Sequence, residues 1–271
     1  MMKVRKAIIP AAGYGTRSLP ITKVLPKEMF PIAGKPAIHY IVEEAVAAGI
    51  EEVLIIVSRN KNMILDYFDR SIELEAFLAS KSKEHLLEKT RLPKVHIQYM
   101  RQPYARGLGD AVLLGERFVH DEPFAVLLPD DFYVASEKGA LQQLLESFAK
   151  SSKSTVAVQA MPVDHLHLYG VIKKEANAKS LHKITDIVEK PSTSPPSNLA
   201  VCGRYVFQPD LFQYLKKAPL GVGDEVQLTD AMKEMVKDFE YNALEIDGER
   251  YDLGKDEEYY RLIEYFLKNK P

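Results

Sequence analysis

Lys6-Ala7-Ile8-Ile9-Pro10-Ala11-Ala12-Gly13-Tyr14-Gly15-Thr16-Arg17 is the stretch that decides the fold. A short unbroken apolar run suits a strand of a parallel sheet covered on both faces, and the glycines end it in a tight turn. The tract beyond holds Pro20, Pro26, Pro31 and Pro36, which no single helix accommodates, so a long ordered loop with at most short turns is expected. Helical spacing begins near Pro36, carries Ile38, Ile41, Val42, Ala45 and Val46, and is closed by Gly49. Residues 53–57 and 124–128 repeat the buried-strand pattern, and 95–99 alternate as a strand. Helical stretches are expected at about 60–69, 72–89 and 109–118, the second with Leu74, Phe77 and Leu78 as an apolar stripe. This alternation predicts a three-layer, Rossmann-like α/β fold with a mostly parallel, mixed central sheet.

After a helix at about 137–150 the pattern changes. Extended segments at 155–158, 168–173, 184–189 and 201–207 precede helices at 209–217, 227–237 and 256–268. No linker or internal repeat precedes them, so they are expected to elaborate one sheet or to form a small substrate subdomain within a single domain.

Composition narrows the function. The 271 residues are 46% hydrophobic and 27% charged, the proportions of a globular chain, which excludes disorder, collagen and coiled coil. Lys plus Arg number 36 against 38 acidic residues, so no nucleic-acid groove driven by bulk charge is expected. Cys202 is the single cysteine, which excludes an internal disulfide framework and a cysteine-based metal cluster. The basic start, Met1-Met2-Lys3-Val4-Arg5-Lys6, reaches Pro10 and the glycines too soon for a signal peptide, and no run is long enough to span a membrane. A cytoplasmic protein with no membrane partner is the expectation.

Chemistry concentrates at the strand ends. The turn Gly13-Tyr14-Gly15-Thr16-Arg17 lets backbone N–H groups approach an anion, and Thr16 and Arg17 add donors suited to phosphate. A dinucleotide fingerprint fails here, because position 18 is Ser18 and Pro20 disfavours an immediate helix. A phosphate-binding Gly-Lys-Ser/Thr loop fails too, since Gly34-Lys35 is followed by Pro36. On these residues alone, a tight turn without a ligand stays open.

Lys23 and Lys27 sit in the proline-braced loop, where stiffness cuts the entropy of holding a cation in place; solvated surface lysines remain the alternative. Asp130-Asp131 follow the 124–128 strand, where open α/β sheets collect ligands, and a carboxylate there can hold Mg²⁺ beside a substrate phosphate or merely cap a turn. Asp252 is a second carboxylate at an expected strand end. Gln102, Gly107 and Gly109 bracket a loop where an amide can pair with a base edge. Glu189-Lys190 could meet sugar hydroxyls and a phosphate. His165 and His167 have a metal-pair spacing but no third ligand, His39 reads as a packing or solvated helix residue, and Cys202 reads as a buried small hydrophobe. No Gly-x-Ser-x-Gly, His-Glu-x-x-His or Cys-x-x-Cys occurs, which removes the common hydrolase, zinc-protease and redox readings.

Together, residues 11–17, Leu19-Pro20, Lys23 to Met29, Arg101-Gln102, Gly107 to Gly109, Leu127 to Asp131, Tyr169 to Val171, Val188 to Pro191 and Glu225 to Asp230 closely resemble the bacterial UTP–glucose-1-phosphate uridylyltransferases. The likeness runs from residue 2 to about 265, in order and spacing. It implies a nucleotidyltransferase fold with a nucleotide-binding part at about 1–135 and a sugar-phosphate-binding part at about 136–271. It also implies the substrates UTP and glucose 1-phosphate, Mg²⁺ as cofactor, and a homodimer or homotetramer.

By the matched motifs, Ala11, Ala12, Gly13, Gly15, Thr16 and Glu28 belong to the nucleotide site, with Gln102 and Gly107 reading the uracil edge. Arg17 and Lys27 stabilise the triphosphate, Asp130 and Asp252 hold the metal, Gly170 and Glu189 meet glucose, and Lys190 meets its phosphate. The resemblance implies direct displacement at the α-phosphorus without a protein nucleophile. Relatives using dTTP or another sugar phosphate, and an inactive sugar-nucleotide-binding regulator, are the rival readings. The sequence departs from the resembled pattern at Asp110, where members commonly carry histidine, and in a smaller way at Ser18.

Overall fold

In the computed structural model, described for residues 3–134, 137–175 and 180–269, the first apolar run becomes strand β1 (Lys6–Ala11). The proline tract follows as 3-10 turns and the small hairpin of β2 (Pro31–Ile32) and β3 (Lys35–Pro36), ahead of α1 (Ala37–Ala47). Next come β4 (Glu52–Val57), α2 (Asn62–Phe68), α3 (Ile72–Ser80), β5 (His96–Arg101), α4 (Leu108–Leu113), α5 (Glu116–Val119), β6 (Phe124–Leu127) and β7 (Asp131–Val134). The later half holds α6 (Ala140–Ser151), β8 (Thr155–Ala160), β9 (Gly170–Lys174), β10 (Leu181–Glu189), β11 (Leu199–Phe207) and α7 (Leu211–Lys217). It closes with α8 (Leu228–Asp238), β12 (Asn242–Glu245), β13 (Glu249–Asp252) and α9 (Asp256–Lys268). Met1 and Met2 of the basic start, and the expected division at 135/136, lie outside the described residues.

One sheet of nine strands, in the order β5-β4-β1-β6-β11-β8-β12-β10-β9, organises the molecule. The strand pairings set β10 and β11 against the direction of the other seven, which is the mostly parallel, mixed sheet expected. Alternation along β1 builds the two flanking layers. Ala7, Ile9 and Ala11 face α1 and α6, whereas Ile8 faces α4, α5, α7 and α8. The site lies where β1 and β6 end side by side, with β11 returning antiparallel to β6.

Three expectations change. The 72–89 helix stops at Ser80 and resumes as a 3-10 segment, Glu84–Thr90. Only Leu78 of its apolar stripe is buried; Leu74 and Phe77 are exposed, because α3 packs on that 3-10 segment and not on the sheet. The 109–118 helix breaks before Gly115, where a Cβ would stand 2.3 Å from Ile8 Cδ1, so glycine permits the close approach to β1. Strand β12, strand β7 and its pairing with β13 were not anticipated, whereas β13 ends at Asp252 as expected. Among the described residues no helix is long and apolar enough to cross a membrane.

Candidate active site

The turn after β1 is held open toward a cavity of about 450 Å³. Gly15 adopts φ 67°, and the Thr22 hydroxyl donates to its carbonyl at 2.8 Å. A Cβ on Gly15 would meet Thr22 Cγ2 at 3.0 Å, so both conformation and space favour glycine. Among the described residues, no acceptor meets the backbone N–H groups of Gly13, Tyr14 and Gly15. That leaves a cluster of donors facing the cavity, suited to an anion.

Across from the turn, Lys27 Nζ donates to Asp130 Oδ2 at 2.5 Å. Burial pushes the Lys27 ammonium toward neutrality, but the carboxylates of Asp130 and Glu28 outweigh it, and its pKa ends above the ordinary lysine value. Burial works against the Asp130 charge too; Lys27 overcomes it and holds the carboxyl below its usual range. Both groups therefore stay charged at neutral pH. Behind them both oxygens of Glu28 accept from Lys61 Nζ at 2.8 Å, in a pair that is almost wholly buried. Burial outweighs the attraction of Glu28 and lowers the Lys61 pKa. Glu28 borders the cavity, but its carboxylate is committed to Lys61, so it anchors the proline-braced loop that carries Lys27.

The β7–β13 pair brings two further carboxylates to the cavity, with Asp252 opposite Asp131. Asp131 accepts from the Gly203 N–H at 2.6 Å and from the Arg250 guanidinium, so its charge is spent within the protein. Asp252 accepts from the Tyr169 hydroxyl and the Gly254 N–H, each at 2.9 Å, and lies 3.7 Å from Arg17 Nη1. The Leu253 N–H donates to the Asp130 carbonyl at 2.8 Å, which ties the Asp130 and Asp252 segments together.

No group of three or more His, Cys, Asp or Glu placed to hold a metal occurs among the described residues. Asp130 and Asp252 are hard oxygen donors at neighbouring strand ends. Mg²⁺ is commonly held by one or two carboxylates plus substrate phosphates and water, so this pair fits that ion.

The opposite wall comes from the later half. Glu189, ending β10, accepts from the Thr229 hydroxyl at 2.8 Å, and Lys190 Nζ lies 3.4 Å from Glu189 Oε1. Lys190 itself has φ 44°, a left-handed conformation unusual for a non-glycine residue. Gly170 lies beneath this pair: a Cβ there would be 2.7 Å from Thr229 Cγ2 and 3.2 Å from Glu189 Oε2.

At a third edge Gln102 follows β5, and its Nε2 donates to Gly107 O at 3.2 Å and Asp110 Oδ2 at 2.7 Å. Gly107, at φ 98°, packs so tightly on the 225–226 segment that a Cβ would stand 2.7 Å from Glu225 Cβ. The bond from Gly109 N to Val226 O fixes the loop further.

The fold thus brings Ala12, Gly13, Gly15, Thr16, Arg17, Lys27, Glu28, Gln102, Gly107, Asp130, Gly170, Glu189, Lys190 and Asp252 to one cavity. It does not bring Ala11, which is fully buried among the core residues of β1, nor Lys23, which is exposed outside the cavity. His39 is buried against Tyr67 and Glu43, and Cys202 is buried in the sheet. His165 and His167 lie on an exposed 3-10 segment.

Sequence reasoning missed Arg250 and Thr229, and it passed over Asp131 and Tyr169 although it quoted their motifs. The alternation before Asp252 could have drawn attention to Arg250; Thr229 stands in the quoted Glu225–Asp230 stretch.

Residues 6–269 match the family model described as "Nucleotidyl transferase". A UTP–glucose-1-phosphate uridylyltransferase of Bacillus subtilis (strain 168) is 47% identical over 258 residues, covering 94% of this chain and 88% of that one. The crystal structure of a UDP-glucose pyrophosphorylase complexed with UDP-glucose superposes with a TM-score of 0.88 at 41% identity, over 98% of this chain and all of that one. A UTP-bound enzyme of the same name from Acinetobacter baumannii gives 0.90 at 36% identity, over 98% of this chain and 95% of that one.

Proposed function

The chain belongs to the nucleotidyl transferase family, and from that membership we propose that it joins UTP and α-D-glucose 1-phosphate to give UDP-glucose and pyrophosphate. One observation carries this reading. A single cavity joins the glycine turn, the Lys27–Asp130 pair and the Glu189–Lys190 wall, so two phosphorylated ligands can meet in it. The names of the relatives, which bind UTP or UDP-glucose, support the choice of substrates.

In this reading the N–H groups of residues 13–15, with Thr16 and Arg17, cradle the triphosphate. Gln102 and Gly107 meet the uracil. Glu189 and Gly170 meet the glucose hydroxyls, and Lys190 holds the sugar phosphate close to the α-phosphorus. A phosphate oxygen of glucose 1-phosphate, already ionised at neutral pH, forms the new bond to the α-phosphorus. The bond from that phosphorus to the oxygen bridging the β-phosphate breaks, and pyrophosphate leaves with the electron pair.

No proton has to move and no protein nucleophile is needed. The residues therefore act by alignment and charge neutralisation. Lys27 and Arg17 offset the charge gathering on the leaving pyrophosphate. Asp130 and Asp252 would hold Mg²⁺, which when bound supplies further charge neutralisation at the phosphates.

The test is pyrophosphate release by the purified protein with Mg²⁺, comparing UTP, dTTP, CTP, ATP and GTP with and without glucose 1-phosphate. Release with UTP that requires the sugar phosphate is expected. Preference for dTTP would move the chain to a neighbouring specificity, and silence with every nucleotide would overturn the reading.

A further inference from the structure

We infer that Asp110 sets the base selectivity of the site by locking the Gln102 amide with its carbonyl oxygen toward the base. The inference rests on the nucleotide reading above and concerns a residue at which the chain departs from the resembled pattern.

Gln102 is only 5% exposed yet borders the cavity. Its Nε2 donates to Asp110 Oδ2 and to Gly107 O, a carboxylate and a carbonyl, both acceptors. Both amide hydrogens are thereby used. Rotating the amide by 180° would set Oε1 against two acceptors, so the reverse orientation is disfavoured. Oε1 is left as the polar atom that Gln102 can offer a ligand, and no donor among the described residues meets it. Gly107 borders the same cavity, and no acceptor among the described residues meets its N–H.

Asp110 itself does not border the cavity, so it meets a ligand through Gln102 and not by direct contact. The two residues thus offer the cavity an acceptor and a donor. That matches an imide, whose ring N–H lies beside a carbonyl, as in uracil. Held in the position of uracil, cytosine would set its ring-nitrogen lone pair against Oε1, and its amino group could meet Oε1 only if the base shifted. A histidine at position 110 could donate or accept and would impose no such lock.

Asp110 is thus a positioning residue, acting through Gln102. Its test is the binding of UTP and CTP by calorimetry, without sugar phosphate, for the wild-type chain, Asp110→Ala and Asp110→Asn. The wild type should prefer UTP, and Asp110→Ala should lose about ten-fold or more of that preference, partly by gaining affinity for CTP. Asp110→Asn, whose amide oxygen can still accept from Gln102, should retain an intermediate preference. A merely structural role would weaken both nucleotides alike and leave their ratio unmoved. An unmoved ratio overturns the inference, as does a wild type that binds both equally. Binding selectivity that Asp110→Ala abolishes, in a chain showing no transfer, would uphold the inference while the proposed reaction falls.

Discussion

Asp130 is the direct partner of Lys27, and with Glu28 it outweighs the burial that disfavours the Lys27 charge. Asp130→Ala should lower turnover by on the order of 100-fold or more while leaving the fold intact. A near wild-type rate at saturating Mg²⁺ would remove Asp130 from the mechanism.

The same pair has a pH signature. A carboxyl whose folded pKa is lowered contributes stability above its unfolded value, and loses that contribution as pH falls and it is protonated. Wild type should therefore be more stable than Asp130→Asn at neutral pH, and urea unfolding should show the gap narrowing as pH drops through and below about 4. A gap independent of pH would mean that the ion pair contributes nothing.

At this scale the sequence was most readable where a function is written locally. The glycine turn and Asp130 each lie directly after an apolar strand, so their placement follows from neighbours in the chain. Glu28 was assigned to the nucleotide site, but its commitment to Lys61, a partner 33 positions away, could not be read from its own surroundings.

Among the elements, α1, α6 and β11 meet at one side chain. Glu44 of α1 accepts from Arg204 of β11 at 2.7 Å and from the Leu141 N–H of α6 at 2.9 Å. Arg204 is fully buried, and its pKa is raised because Glu44 outweighs the opposing effect of burial. Removing one partner of a buried ion pair strands the other charge, which typically costs about 3–5 kcal/mol. Glu44→Ala should lose stability of that order in a denaturant titration; a loss below about 1 kcal/mol would show that water or rearrangement replaces the contact.

Nothing at Glu44 in the sequence separates it from its neighbour Glu43, which pairs on the surface side with Lys35 and His39. Periodicity located α1 and β11 but not the charge that joins them. For the same reason β12 was not anticipated: at four residues it is too short for a clear alternation, and it is a strand because β8 and β10 flank it. The apolar stripe of α3 failed in the opposite direction, since hydrophobic spacing does not reveal whether a sheet lies underneath.

Over the whole molecule, one sheet carries two differently built halves, and the cavity forms where they adjoin. The parallel strands β1 and β6 lead into the glycine turn and Asp130, while β9, β10 and β11 supply the opposite wall. The first half was legible because parallel strands buried on both faces leave continuous apolar runs. In the second, the segments were located but their order in the sheet was not, since antiparallel and parallel pairings mix there and long-range partners decide both. Arg250 reaches the site through the separate β7–β13 pair and Thr229 from the first turn of α8, placements that distant partners decide, which is why they were missed.

In the proposed reaction both substrates meet in a single cavity and no protein nucleophile takes part, so transfer should occur in one step. Exchange of labelled pyrophosphate into UTP tests that most directly. With glucose 1-phosphate and Mg²⁺ present, the reaction runs both ways and label should enter UTP; with the sugar phosphate omitted, none should. Label entering UTP without glucose 1-phosphate would reveal a uridylyl group held covalently by the protein and contradict direct transfer. No label under either condition would contradict the proposed reaction itself.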